Sequence, residues 1–181
     1  DRRDLHSFPA RRSSDLEMCE AMKNAYGSET FSLATHLKEL FCSVLDVEIP
    51  FLSPWDIETL NKCKNNRGVM VDEPMPLSAN SVNVVSEYTG FRYEDVCECC
   101  QEIGFRNVRE LVQGIGTDVI RRIDSAWHIK MLLKDIDRLP EGSIVCVDDI
   151  RFPNELEAFR KVGADTFYII RTNTETVSNH E

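Results

Sequence analysis

No stretch of the 181 residues approaches the roughly 18–20 consecutive apolar side chains of a membrane-crossing helix, so neither a membrane span nor a membrane partner is expected. Glycine and proline are sparse, at eight and seven residues, which argues against fibrous and low-complexity classes. Positive charge is also short: 21 Lys and Arg face 31 Asp and Glu, for a net charge of −10. A protein that held nucleic acid by neutralising phosphates would need a basic face, and none is visible, so no nucleic-acid partner is expected. A small anionic ligand remains compatible, because a pocket needs only a few local cations. The seven cysteines are odd in number and have no framework spacing. That pattern suits a reducing, cytoplasmic setting better than a disulfide scaffold. What the chain does have is ordinary globular content, 42% hydrophobic and 29% charged, in one domain's length of about 100–200 residues.

Residues 1–16, DRRDLHSFPARRSSDL, show neither helical nor strand periodicity and carry four Arg. The string resembles the translation of a common short-read sequencing adapter. It is set apart from fold reasoning as a non-native segment, with the natural chain expected to begin upstream. Residues 17–181 are then read as one domain.

From Glu17, the residues Met18, Met22 and Ala25 recur at helical spacing, and Gly27 marks a stop. Thr30 to Leu33 reads as a short buried strand or its remnant. Leu37, Leu40, Phe41, Val44 and Leu45 mark the apolar face of a helix over roughly 34–46. Residues 46–104 are less regular, with prolines at 50, 54, 74 and 76 among short helical pieces. A helix is expected near 94–103 and another from about Asn107. Gly114 to Asp118 follows, then Val119, Ile120 and Ile123, then a helix from Trp127 toward Leu139. Pro140-Glu141-Gly142 is a turn. Ser143 to Val147 and Thr166 to Ile170 are continuous apolar runs, read as strands buried on both faces. A helix with Pro153 in its first turn lies between them. Strand, helix and strand with short links make a βαβ unit, so the class is α/β with a parallel sheet.

In such sheets ligands bind beyond the carboxyl ends of the strands. There Val147 gives way to Asp148, Asp149 and Arg151, and Ile170 to Arg171. An Asp at a strand end suits a Mg²⁺ or substrate contact, and it equally suits capping of the next helix.

Two motifs are more specific together than apart. They are Arg109-Glu-Leu-Val-Gln113-Gly-Ile-Gly116-Thr117-Asp118 with Arg122 and Trp127, and Asp149-Ile-Arg151-Phe-Pro-Asn154-Glu155. The pair resembles the deoxynucleoside monophosphate kinase family of P-loop kinases, phage-type members especially. The stretch Phe31 to Glu39, with Lys38, is similar to the segment after that family's first helix, and Ser178 to Glu181 to the start of its late loop. The resemblance implies a three-layer P-loop kinase core around a parallel sheet, with ATP and Mg²⁺ as cofactors. The implied reaction moves the γ-phosphoryl group of ATP to a deoxynucleoside monophosphate. One departure is large: the glycine-rich phosphate loop is missing, and no Gly-Lys pair occurs anywhere in the chain. The first strand and phosphate loop are therefore expected to be absent, and this polypeptide to be inactive as it stands.

Phosphoryl transfer is mostly placement and charge neutralisation, which asks for converging arginines. The resemblance implies that Asp149, Arg151 and Arg122 are catalytic, with Asp149 also the metal contact. It implies substrate binding by Lys38, Arg109, Gln113, Gly116, Thr117, Asp118, Trp127 and Arg171. Arg121 is an alternative to Arg122, and any of these Arg could be a solvated or ion-paired surface residue. Trp127 offers a stacking face for a base, yet its pattern fits a core tryptophan better. Gln113 and Asp118 could read base or sugar edges, Gly116 would allow close backbone approach, and Asp118 could cap a helix. Glu155 stands at helical spacing to fix Arg151. Cys97-Glu-Cys99-Cys100 raises a zinc site, against half-buried helix cysteines. Another rival is a non-catalytic nucleotide-binding or interaction module derived from a P-loop kinase.

Overall fold

The computed structural model describes residues 14–65, 73–101 and 103–168. They form a mixed α/β structure that is mostly helical, in two compact units. Unit 1 takes the chain up to Phe31 and from Leu139 onward; unit 2 is the continuous stretch Ser32–Arg138.

In unit 1, helix α1 (Ser14–Tyr26) ends where Gly27 turns left-handed at φ +68°, a conformation that costs glycine nothing. Strand β1 (Glu29–Phe31) then pairs in parallel with β4 (Val145–Val147), Glu29 opposite Val145 and Phe31 opposite Val147. Helix α1 packs against both strands. Helix α9 (Pro153–Lys161) follows with Pro153 at its first position. A parallel pair so far apart in sequence needs a crossover, and all of unit 2 lies within it.

Two strand expectations are corrected. Ser143–Val147 is not buried on both faces: β4 is half-buried and Ile144 is 43% exposed. Thr166–Tyr168 belongs to no strand, with Phe167 76% and Tyr168 90% exposed. A continuous apolar run becomes a two-sided strand only where neighbours cover both faces, and these residues have no such cover. Ile169, Ile170, Arg171 and the terminal stretch from Ser178 lie outside the described residues.

Unit 2 is built on α2 (Thr35–Glu48), α3 (Ile57–Asn65), α4 (Ala79–Thr89), α5 (Tyr93–Cys100), α6 (Val108–Gln113), a π-helical segment (Gly114–Ile120), α7 (Arg121–Ile123) and α8 (Trp127–Ile136). The apolar stripe of α2 does what its spacing predicts: Leu40, Phe41, Val44 and Leu45 are buried. They meet Val82 and Val85 of α4, Val96 of α5, and Leu111, Ile115, Val119 and Ile120 of the α6–π stretch in one core. A two-residue antiparallel pair, β2 (Met75–Pro76) with β3 (Gly104–Phe105), closes one end.

Candidate functional site

The α6–π–α7 stretch carries most of the candidate side chains. Its start is fixed by Asn107, whose Oδ1 accepts the Glu110 N–H at 3.0 Å, while Glu110 accepts the Arg106 N–H at 2.8 Å and Asn107 Nδ2 at 3.0 Å. This reciprocal pairing satisfies amides that a helix start leaves open. Val108, Leu111, Val112 and Ile115 face the core.

From Gly114 to Ile120 the backbone widens to i→i+5 hydrogen bonding, a rare form that concentrates at functional sites. The wider turn changes which side chains share a face. Gln113, Thr117, Asp118 and Arg122 come together on one wall of a cleft of about 520 Å³. Cys99 and Ile103 line it from the α5 side, with Gly104, Glu110 and Gly114. Of Arg121 and Arg122, it is Arg122 that lines the cleft. On a regular helix of 3.6 residues per turn, two turns beyond Gln113 fall near residues 120–121 rather than 122.

Gly114 is the tight glycine of this stretch. A Cβ there would sit 2.9 Å from Ile103 Cγ2, whereas one on Gly116 would meet Phe41 Cζ at an ordinary 3.5 Å. The close approach expected at Gly116 is thus found two residues earlier, as packing. Gly116 lies on the π segment but does not line the cleft.

Trp127 is a core residue. It is 4% exposed, its Nε1–H donates to the Thr89 carbonyl at 3.1 Å, and Tyr88 and Phe91 stand against it at centroid distances of 6.3 and 6.4 Å. The base-stacking role is corrected on that ground, because its faces are already covered. Arg109 is exposed on α6 and does not line the cleft, but it stands one helical turn before Gln113, which does. Lys38 is half-buried in the first turn of α2 and also lies off the cleft. Neither makes an ion pair with another described residue, in contrast to Lys62, Arg92, Lys130 and Arg138.

Asp149 and Arg151 belong to unit 1, on the link between β4 and α9. Asp149 is half-buried and Arg151 exposed. Glu155, 1% exposed, accepts the backbone N–H of Arg151 at 2.8 Å and of Phe152 at 3.0 Å. It therefore holds the main chain beneath Arg151, at a helix start where a carboxylate is favoured. Among the described residues, no group of three or more His, Cys, Asp or Glu converges on a metal position. Mg²⁺ takes one or two carboxylates together with substrate phosphates, and Asp149 is the carboxylate that the sequence reading assigned to it. No such group forms at Cys97-Glu-Cys99-Cys100 among the described residues. Burial, with Cys99 and Cys97 adding, pushes the Cys100 thiol up to about 12.

A sequence profile described as deoxynucleotide monophosphate kinase matches residues 57–181. The chain belongs to the deoxynucleotide monophosphate kinase family. The match contains both motifs, the cleft wall at 113–122 and the link at 149–155, while Lys38 precedes it. A deoxynucleotide monophosphate kinase from Escherichia phage RB69 is 29% identical over 115 residues, which cover 58% of this chain and 47% of that protein. The chain thus spans about half the length of the relative it matches.

Of the residues that line the cleft, Cys99, Ile103, Gly104, Glu110 and Gly114 were not among the substrate-site candidates of the sequence. Glu110 was findable from its spacing to Asn107. Cys99 and Ile103 had no local signal, because only the packing of α5 against the π segment brings them there.

Proposed function

We propose that the chain carries the acceptor side of a phosphotransferase that moves the γ-phosphoryl group of ATP to a deoxynucleoside monophosphate. The carrying observation is the cleft on the π-helical turn, which an arginine, an amide, a hydroxyl and a carboxylate line within the family's matched region. A volume of about 520 Å³ suits a mononucleotide-sized ligand.

In this reading Arg122 takes the acceptor phosphate and Arg109 is a further phosphate contact, since planar guanidinium groups bind phosphate in bidentate fashion. Lys38 is another phosphate contact. Thr117 offers a hydroxyl to the substrate. Arg151 neutralises the transferred group, on a main chain that Glu155 fixes. Asp149 would hold Mg²⁺, which when bound supplies neutralisation of phosphate charge. The residues for the donor triphosphate do not fit in the same way: no Gly-Lys phosphate-loop sequence occurs in the 181 residues. The larger P-loop kinase core, with helices on both faces of a parallel sheet, is part of the same proposal.

The test is titration calorimetry on the 181-residue chain. Deoxynucleoside monophosphates should bind with an affinity that falls as salt rises, ATP–Mg²⁺ should not bind tightly, and phosphoryl transfer should be negligible. A reconstructed chain carrying the family's phosphate loop should form deoxynucleoside diphosphate in a coupled assay. Absence of turnover with every deoxynucleoside monophosphate, in a folded reconstruction, would discard the reading.

A further inference from the structure

We propose that His36 is a proton-dependent clasp on the two ends of unit 2, closed when both ring nitrogens carry a proton and loosened when one is lost. His36 lies in the first turn of α2 and Asp135 in the last turn of α8. They are the fifth residue of unit 2 and the fourth from its end. His36 Nε2 stands 2.6 Å from Asp135 Oδ2, a bond across 99 positions of sequence. Nδ1, on the other side of the ring, stands 3.5 Å from Glu39 Oε2. Both nitrogens therefore face carboxylate oxygens, and the side chain is only 15% exposed.

A neutral imidazole has one N–H and one lone pair, whereas the imidazolium has two N–H donors. With its Nε2–H given to Asp135, a neutral ring would turn a lone pair toward Glu39. Only the charged ring meets an opposite charge at both nitrogens. Glu39 is held in place from α4, where the Tyr88 O–H donates to the same Oε2 at 2.7 Å. Burial, then that bond, push the Tyr88 phenol above its usual range, so it stays protonated and adds no charge. From α8, Arg138 meets the other Asp135 oxygen at 3.2 Å, and Lys134 and Asp137 are the remaining charges at that end of the helix. From the α3 side, Asp56 and Glu58 line a pocket together with Glu39. The dipole of α2 opposes a cation in its first turn, while the carboxyl end of α8 favours one, so the two carboxylates decide the balance. A proton held by the folded chain and released on unfolding makes stability fall as pH rises. Histidine is the side chain that does so between pH 5 and 8.

Urea unfolding of the 181-residue chain and of its His36→Gln variant, at pH 5.5 and pH 8, tests this. The two tryptophans, Trp55 and Trp127, both lie in unit 2, so their fluorescence follows that unit. Glutamine keeps a donor for Asp135 and takes no charge. The ratio of the parent's folding equilibrium constant to the variant's should be about fivefold larger at pH 5.5 than at pH 8, the scale of a partly exposed ion pair. A ratio that is equal at the two pH values, or larger at pH 8, overturns the proposal. Asp135→Asn should lose the same pH dependence; if it keeps all of it, the proton sits elsewhere and the clasp is overturned. Amide exchange on the parent chain decides the matter should either variant fail to fold. After correction for intrinsic rates, the Leu133–Ile136 amides should lose protection at pH 8 relative to those of Leu40–Leu45 in the core. Unchanged relative protection across that range overturns the proposal as well.

Discussion

Gly114 and Gly116 stand two positions apart and meet different surroundings. Adding a methyl group at Gly114 forces Ile103, whose Cγ2 would lie 2.9 Å away, to shift where the core borders the cleft. Gly114→Ala should therefore cost about 1–3 kcal/mol of overpacking, offset in part by the better helix propensity of Ala. Ile103→Ala in the same chain removes the clash, so urea unfolding of the single and double variants should show non-additivity. At Gly116 the nearest atom is Phe41 Cζ at 3.5 Å, and Gly116→Ala should be neutral or stabilising by up to about 1 kcal/mol. The motif in the sequence marks both glycines alike, because spacing cannot tell a packing constraint from a ligand approach. Trp127 shows the same limit: its apolar helical pattern was legible, but only the contacts with Thr89, Tyr88 and Phe91 place it in the core.

The turn between α7 and α8 depends on Asp124. Its Oδ2 lies 2.6 Å from Lys130 Nζ, and its Oδ1 accepts the Ala126 N–H at 3.0 Å. Burial works against ionisation of this carboxyl, but the bonds from Lys130 and Ala126 outweigh it and hold the carboxyl below its usual range. A group depressed in the folded state contributes stability above its unfolded value, about 3.9 for Asp, and loses it as pH falls through the folded one. Denaturant midpoints of the parent and Asp124→Asn chains should therefore differ most above about pH 4 and converge on acidification. Helix positions were largely legible, since α2, α6 and α9 follow apolar spacing, Asn107 and Pro153. The π segment was not. Local propensity disfavours helix at two glycines in three residues, and the α6 hydrogen bonding that runs on through them is held by Ile115, Val119 and Ile120 in the core.

The two units differ in how the chain builds them. Unit 2 is continuous, Ser32–Arg138, and contains the whole main core and the cleft. Unit 1 takes a segment from each side of it. Expressed alone, residues 32–138 should unfold cooperatively in urea and retain deoxynucleoside monophosphate binding; a fragment without a cooperative transition would show that the core needs the flanking segments. Composition and length suggested one domain, because a chain that leaves a unit and returns to it leaves no linker-like signature between the halves. The parallel pairing of β1 with β4 was likewise beyond local reading, since each strand is only three residues long.

The π-helical turn also has a genetic reading. Such a turn amounts to one residue more than the α-helix needs over the same span. An in-frame loss of one codon within 114–120 would let the stretch close into a regular helix, with α6 before it and α8 after it still in their places. The side chains of the turn would rotate, carrying Asp118 away from Gln113. A deletion at this point would thus change the lining of the cleft and spare the fold, the reverse of what deleting a residue usually does to a buried helix.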